Sequence, residues 1–212
     1  MKRAAAGRLP DEAPSRASPA NVAAAGHGAT AVLGRLEAAL GDAAQQRAAP
    51  VEKWNPPYCG DIGMAILRDG TWSYRGSPIL RPALVRLFAS VLRRDADGRH
   101  YLVTPVEKVD VAVADAPFLA VELEVIGAGA GQVLVLRTNL DEVVRIGAEH
   151  PLRFAVEPDT GGLKPYVRVR GRLEALATRA VTHELLALVA DGEIDGTAEP
   201  GLWSSGVFFA LP

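Results

Sequence analysis

The densest mixture of reactive side chains in the chain runs from Trp54 to Ile62. An indole, a carboxamide, the single cysteine and a carboxylate follow one another there at Trp54, Asn55, Cys59 and Asp61. Two consecutive prolines within the stretch remove backbone donors and favour extended chain, so a helix is excluded. We expect Trp54 to offer a stacking surface to a ligand, and Asn55 and Asp61 to offer polar contacts.

Cys59 is the one candidate nucleophile of the thiol type. A reactive cysteine needs a nearby base and an electropositive, accessible setting that lowers its pKa. His100 or His150 can serve as that base, but no local signature of a cysteine enzyme accompanies Cys59. The sequence therefore favours a buried, inert cysteine.

A second polar group follows the apolar run Val133–Leu136, which predicts a central strand buried on both faces. Arg137, Thr138 and Asn139 come directly after it. We expect these three side chains to emerge together at one edge of the core. There the planar guanidinium of Arg137 can bind a phosphate or carboxylate through two parallel hydrogen bonds.

Further candidate ligand contacts lie on or between predicted strands. Alternation places Arg168 and Arg170 on one face with Tyr166, where the two arginines either bind an anion or pair across strands with Glu122 and Glu124. Both interpretations remain open.

Glu107 and Lys108 stand between two predicted strands and complete the candidate ligand-binding set. Asp61 and Glu107 are also the carboxylates of the protein itself that can pair with Arg137 in place of a ligand. The same two carboxylates would serve an unrecognised hydrolase, which is the least favoured function.

Several classes of site are not expected. The four histidines have no metal-ligand spacing, so no metal site is predicted. Neither a dinucleotide-binding glycine motif nor a phosphate-binding loop occurs, and no serine nucleophile motif is present. No cofactor and no catalytic residue are predicted, and the sequence favours a protein that is not an enzyme.

Charge and hydropathy bound the partners. The 212 residues carry a formal net charge of −2, so nucleic acid is not an expected partner. No apolar run approaches the ~18 residues of a membrane span, and the N-terminus lacks the apolar core of a secretory signal. We therefore expect a cytoplasmic protein without membrane insertion.

The predicted organisation has four parts. Residues 1–28 are rich in Ala and Pro and are expected to be a disordered tail, and residues 29–49 hold an amphipathic helix. Residues 50–113 form a module of hairpin, helix and strands, and residues 114–212 form a β-rich module with a late helix. This order of elements predicts an α+β fold.

Individual elements follow from periodicity and turn signals. Asp69-Gly70 predicts a two-residue hairpin turn within Met64–Tyr74, with Arg68 opposite Thr71. Arg81–Arg94 has a helical apolar stripe, and Thr178 can cap the late helix. Strands are predicted at Tyr101–Val106, Val109–Val113, Phe118–Ile126, Val133–Leu136, 143–146, 152–156, 165–171 and Leu202–Leu211.

These motifs together resemble an uncharacterised bacterial family, domain-of-unknown-function family 1285. The similarity covers about Leu33 to Pro212 and is carried by the motifs Trp54-Asn55-Pro56-Pro57, Cys59-Gly60-Asp61-Ile62, Arg68-Asp69-Gly70-Thr71-Trp72, Leu84-Val85-Arg86-Leu87-Phe88, Val91-Leu92-Arg93-Arg94, Tyr101-Leu102-Val103-Thr104-Pro105-Val106-Glu107-Lys108, Asp115-Ala116-Pro117-Phe118, Arg137-Thr138-Asn139, Tyr166-Val167-Arg168-Val169-Arg170 and Trp203-Ser204-Ser205-Gly206-Val207-Phe208-Phe209.

The resemblance implies a duplicated core of two β-rich modules, each with a helix, and a C-terminal module similar to pleckstrin-homology-like folds. It also implies a ligand site between the halves, a nucleotide-like ligand and a role in signal transduction. The leading prediction is therefore a non-catalytic sensor that binds a small anionic ligand between its modules. The alternative is an interaction adaptor that binds a protein partner or a second copy through Trp203, Phe208 and Phe209.

Overall fold

The computed structural model describes residues 49–194 and 196–212. The predicted tail at 1–28 and nearly all of the predicted helix at 29–49 lie outside these residues. The described chain forms two six-stranded sheets, a three-stranded sheet and two α-helices. No helix in the described ranges is long and apolar enough to cross a membrane.

The first module contains one sheet and one α-helix. Its elements are a 3-10 helix at Val51–Lys53, β1 Tyr58–Ile66, β2 Trp72–Tyr74, β3 Ser77–Pro78, α1 Pro82–Ser90, β4 Leu92–Arg94, β5 His100–Val103 and β6 Lys108–Val113. The strand order is β3-β2-β1-β6-β5-β4, and only the central β1–β6 pair is parallel.

The β1–β2 hairpin has a register that the sequence prediction missed by one residue. Leu67, not Arg68, faces Thr71, because Ile66 pairs with Trp72. A shift of one residue exchanges the two faces of a strand. The buried face therefore carries Met64, Ile66, Trp72 and Tyr74.

Helix α1 is shorter than its apolar stripe predicted. It ends at Ser90, and Leu92–Arg94 forms the edge strand β4 instead of a last helical turn. Leu92 pairs with Leu102 of β5 and is fully buried there. Tertiary pairing thus overrides local helix preference. Phe88 of α1 stacks on Trp72 with ring centroids 6.3 Å apart.

The second module repeats the plan of sheet and helix. Its elements are β7 Phe118–Ile126, a 3-10 helix at Gly129–Gly131, β8 Val133–Thr138, β9 Val143–Arg145, β10 Leu152–Val156, β11 Leu163–Arg170, β12 Leu173–Ala177, α2 Arg179–Leu186, β13 Ala190–Ile194, β14 Thr197–Ser204 and β15 Val207–Ala210. The large sheet has the order β10-β11-β12-β7-β8-β9, with β12 and β7 parallel.

Strand β8 is buried on one face only, so the prediction of a fully buried central strand is wrong. Leu134 and Leu136 are buried, whereas Val133 and Val135 are half-exposed. The strand therefore lies inside the sheet but has packing on only the face that carries Leu134 and Leu136. As predicted, Thr178 caps α2: its hydroxyl accepts a hydrogen bond from the Val181 N–H at 3.5 Å.

The chain end forms a hairpin instead of the predicted single strand Leu202–Leu211. Ser205 and Gly206 make the turn between β14 and β15, with Ser204 paired to Val207. Trp203 and Phe208 are half-buried, and their ring centroids lie 5.1 Å apart.

Direct contacts join the two modules. Arg170 donates to the Ala89 carbonyl at the end of α1. Ion pairs link Arg86 to Asp141 at 2.6 Å and Arg94 to Glu174 at 3.8 Å. The protein is thus two β-rich modules with one α-helix each in the described residues, consistent with a duplicated α+β core.

Candidate functional site

Arg137 lies on the partly exposed face of β8 and is paired within its own module. Its Nε lies 2.6 Å from Glu122 Oε2 on β7, and its Nη1 lies 3.3 Å from Asp141 Oδ1. The hydrogen bond with Glu122 raises the pKa of Arg137, as does the nearby Asp141 carboxylate. The expected internal partners, Asp61 and Glu107, do not contact it.

The prediction that the three side chains at the end of β8 emerge together is wrong. Thr138 is fully buried on the opposite face from Arg137, and its Oγ1 accepts from the Glu142 N–H at 3.1 Å. Asn139 Oδ1 accepts from the Leu119 N–H at 3.0 Å. Successive strand residues point to opposite faces, which separates the three groups.

Arg168 and Arg170 also diverge. A register shift between them in the β11–β12 pair breaks the expected alternation. Arg168 is exposed, whereas Arg170 turns toward the first module, contacts Glu142 and lies 5.1 Å from the Phe118 ring centroid. The interpretation in which these two arginines pair across strands with Glu122 and Glu124 is therefore wrong.

The Trp54–Ile62 stretch is extended as predicted, and it continues into β1. Trp54 is half-buried and Asn55 is exposed. Cys59 is exposed, with its Sγ 3.6 Å from the Pro57 carbonyl oxygen, so the prediction of a buried cysteine is wrong. The buried side chains of β1 lie at its other end, at Met64 and Ile66.

Glu107 and Lys108 lie on either side of the start of β6. The Glu107 N–H donates to Thr104 Oγ1 at 3.1 Å in a tight turn. Lys108 Nζ lies 4.4 Å from the Tyr101 ring centroid and 3.2 Å from Asp95 Oδ2. Lys108 therefore belongs to a polar cluster of the first module, and its neighbours there were not predicted from the sequence.

That cluster is a row of polar residues across four strands of the first sheet. Asp61 on β1 is the register partner of Asp110 on β6. Asp110 is in turn the partner of Tyr101 on β5, and Tyr101 is the partner of Arg93 on β4. Strand β1 reaches this register through two irregularities on either side of Asp61. Such bulges often re-aim a side chain at functional sites.

Asp110 is the centre of the row and is only 8% exposed. The Tyr58 hydroxyl donates to its Oδ2, and Arg99 Nη2 donates to its Oδ1 at 2.6 Å. The hydrogen bond with Asp110 raises the pKa of Tyr58. Tyr58 is 53% exposed and the Arg99 side chain is 57% exposed, so both can meet a ligand.

A half-open groove of about 400 Å³ opens beside this row. Its lining consists of Asp61, Gly98, Arg99, His100, Asp110, Val111, Ala112 and Val113. Burial lowers the pKa of His100 to about 4, with the Arg94 charge acting in the same direction. His100 is therefore uncharged at neutral pH, and its Nε2 has no hydrogen-bond partner in the described chain.

Arg93, at the β4 end of the polar row, holds the Trp54 segment. Its Nη1 donates to the carbonyls of Val51 and Trp54, both at 2.8 Å, and its Nε lies 2.6 Å from Asp95 Oδ1. The segment that leads into Tyr58 is thereby tied to β4. The arrangement offers a guanidinium, carboxylates and an exposed phenol to a small ligand.

Sequence reasoning found Asp61 and Lys108 but missed Tyr58, Arg99 and Asp110. A usable signal was Asp110, a carboxylate between two valines in an otherwise apolar strand. A charge in such a position requires buried partners. The pairing of β6 with β1 and β5, on which the cluster depends, is not contained in local periodicity.

The fold places the chain among β-rich proteins built from two sheet-and-helix modules. The chain belongs to the DUF1285 family. Residues 49–116 match the model described as "Domain of unknown function (DUF1285), N-terminal domain", and residues 117–211 match "Protein of unknown function (DUF1285), C-terminal domain".

Two solved structures are similar to the chain. The crystal structure of a DUF1285 family protein from Silicibacter pomeroyi DSS-3 is 50% identical, with a TM-score of 0.72 over 80% of this chain and 92% of that chain. A DUF1285 family protein from Shewanella baltica OS155 is 27% identical, with a TM-score of 0.46 over 59% of this chain and 91% of that one. No curated protein matches the chain.

Proposed function

We propose that the protein is a non-catalytic, sensor-type protein that binds a small ligand with an anionic group. The ligand occupies the groove of the first module, not the contact between modules. The observation that carries this proposal is the half-exposed Arg99 guanidinium beside a groove of about 400 Å³. A cavity of this size suits a small molecule.

The contact between modules is a poorer place for an anion. Arg86 and Arg137 both pair with Asp141 there, and Arg170 pairs with Glu142. An anion would have to displace these carboxylates. At the groove, by contrast, the Arg99 guanidinium has one carboxylate partner in the described residues, that of Asp110. The exposed ring of Tyr58, whose hydroxyl also donates to Asp110, offers a surface on which a ligand ring can stack. Nucleotides are therefore one ligand class to test.

The experiment is a thermal-shift screen of nucleotides, small organic acids and amino acids on the wild type and on Arg99→Gln. We expect at least one compound to raise the Tm of the wild type, and Arg99→Gln to lose most of that shift. Arg145→Gln is the matched control, because Arg145 is an exposed strand arginine on β9 of the second sheet and does not line the groove. The proposal is overturned if no compound stabilises the wild type, or if the compounds shift the Tm of the wild type and of Arg99→Gln equally.

An adaptor function is the second candidate, because the second sheet leaves apolar side chains in solvent. Val121, Val125 and Ile126 on β7 are exposed, and Val143 on β9 is 63% exposed. The predicted patch at Trp203, Phe208 and Phe209 is less suitable, because Phe209 is buried and the other two rings pack together. Concentration-dependent association, lost in Val143→Ser, would favour a protein partner or homodimer over the sensor.

A hydrolase receives the least support. A general acid needs a carboxyl group with a raised pKa. Burial alone would raise the pKa of Asp95 and Asp115, but hydrogen bonds from Arg93 and Lys164 outweigh it and lower both values. Asp61 meets Asp110 across the β1–β6 pair, and the contact with Glu107 that this function required is not formed.

We propose that the second module is pleckstrin-homology-like in outline, which is supported by the packing of α2 against β7, β11 and β12. We also propose a cytoplasmic signalling role. Fractionation of cells with an antibody against the protein tests the location, and recovery in a non-cytoplasmic fraction would contradict it.

A further inference from the structure

The charges that line the groove are unequal. Two carboxylates, Asp61 and Asp110, face one guanidinium, Arg99, and His100 is neutral at neutral pH. Asp110 is already held by Tyr58 and Arg99. Asp61 is exposed, and the one hydrogen bond to its carboxylate within the described residues comes from the Gly63 N–H at 2.7 Å. An acceptor is thus open at one wall of the groove.

A backbone donor is also open at Val113, another residue of the groove lining. The Ala114 N–H donates to the Ile66 carbonyl at 3.0 Å. The backbone of Ile66 on β1 therefore bonds to the residues on either side of Val113 in β6, and not to Val113 itself. Backbone groups of successive residues in a strand point to opposite sides. The N–H and C=O of Val113 therefore point away from β1, toward β5.

Strand β5 does not reach Val113. It begins at His100, which pairs with Val111, and the preceding residues Gly98 and Arg99 turn away along the groove wall. The β5–β6 pairing ends at His100 and Val111, so no residue of β5 pairs with Val113 on that side. The N–H of Val113 and the guanidinium of Arg99 consequently line the same groove as two donors.

We propose, on the basis of the function proposed above, that the groove binds a small zwitterion whose ammonium and carboxylate are a few bonds apart, as in a free α-amino acid. The ammonium binds the Asp61 carboxylate. The carboxylate accepts hydrogen bonds from Arg99, which already reaches Asp110, the register partner of Asp61. The Val113 N–H lies three residues farther along β6 and can bind a polar group of the ligand's side chain. A polyanion such as a nucleotide suits the lining less well, because it would add several negative charges beside two carboxylates and one cation.

The test uses three probe sets on the full chain: the free standard amino acids, their N-acetyl derivatives and their carboxamides. Acetylation removes the ammonium, and amidation removes the carboxylate. We expect thermal shifts from at least one free amino acid and from neither of its derivatives. Calorimetric titration of that amino acid then gives its Kd.

Asp61→Asn tests the binding of the ligand's ammonium separately from that of its carboxylate. It keeps the oxygen that accepts from Gly63 but loses the charge, and we expect affinity to fall roughly tenfold or more, as for the loss of a charge-assisted contact. Asp69→Asn is the matched control, because Asp69 is also exposed and accepts from the N–H two residues later, that of Thr71 at 2.9 Å. Asp69→Asn should leave the Kd unchanged.

The outcomes distinguish this inference from the proposed function. If acetylated amino acids or nucleotides stabilise the protein through Arg99 while Asp61→Asn binds them as well as the wild type, the zwitterion is wrong and the anion sensor stands. If no probe of any class shifts the Tm, both fail. Equal losses of affinity in Asp61→Asn and Asp69→Asn would also overturn the role of Asp61.

Discussion

The carboxamide of Asn139 in the second module lies directly against Gly70 in the β1–β2 turn of the first. A Cβ placed on Gly70 would lie 2.7 Å from Asn139 Nδ2 and 3.3 Å from Leu119 Cδ1. Asn139 cannot easily withdraw, because its Oδ1 is bonded to the Leu119 N–H. Two motifs that the sequence assigned to a turn and to a ligand site therefore form one structural contact.

This contact predicts an unusual cost for Gly70→Ala. Gly70 has a φ of 81°, so any side chain there is strained, and the new methyl group would also collide with Asn139. We expect Gly70→Ala to lower the free energy of unfolding by about 2–3 kcal/mol in urea denaturation. Gly76→Ala is the control, with a φ of 79° but open space around its Cβ. It should cost only about 1 kcal/mol, and equal losses would show that Asn139 is not the obstacle.

The β1–β2 turn also shows how far the sequence could predict the fold. Asp69-Gly70 correctly located a turn, because glycine there supplies a positive φ. The predicted two-residue loop is wrong, because three residues, Arg68 to Gly70, separate Leu67 from Thr71, which faces it. Only burial of Trp72 opposite Ile66 against Phe88 decides the register, and that packing joins residues distant in sequence.

Arg170 is predicted to hold the two modules together. It donates to the Ala89 carbonyl, pairs with Glu142 and lies over the Phe118 ring, with its side chain 19% exposed. Its removal leaves the Glu142 carboxylate and the Ala89 carbonyl without this partner in a partly buried setting. We expect Arg170→Ala to destabilise the protein by about 2–4 kcal/mol in chemical denaturation.

Arg168→Ala is the matched control for Arg170→Ala. Arg168 lies two residues earlier on the same strand and is exposed. Substitutions at such surface positions usually change stability by no more than about 0.5 kcal/mol. Similar losses in the two variants would mean that the strand, and not the contact of Arg170 with Ala89, determines the effect.

The same two arginines show why the candidate site was only partly predictable. Alternation along β11 predicts that Arg168 and Arg170 share a face, but the shift in register between them sends Arg170 toward the first module. A bulge depends on the partner strand, which periodicity within β11 does not contain. Arg99 and Asp110 were missed for a related reason, since their contact requires the β5–β6 pairing.

His100 predicts a loss of stability in mild acid. Its pKa is lowered from 6.5 to about 4 by burial, and Arg94 opposes protonation while Glu174 favours it. Between these two values the unfolded chain binds the proton and the folded chain does not. The contribution of His100 is therefore fully present above about pH 6.5 and is lost as the pH falls toward 4.

Denaturation of the wild type and His100→Gln across this range provides the measurement. Because His100 is only partly buried, we expect the wild type to lose about 1–2 kcal/mol more than the variant between pH 6.5 and 4. Titration of the carboxyl groups is common to both proteins and cancels in the comparison. Parallel pH profiles would show that His100 titrates normally in the folded state.

Cys59 is predicted to be accessible and dispensable for stability. The chain has one cysteine, and its side chain is exposed on β1. Its sole polar contact in the described residues is with the Pro57 carbonyl, which a serine hydroxyl can also reach. We expect Cys59→Ser to change the free energy of unfolding by less than about 0.5 kcal/mol.

A maleimide should alkylate the native wild type at nearly the rate seen in denaturant, with one label per chain. Strong protection of the native thiol, or a loss above 1 kcal/mol on substitution, would mean that Cys59 is covered.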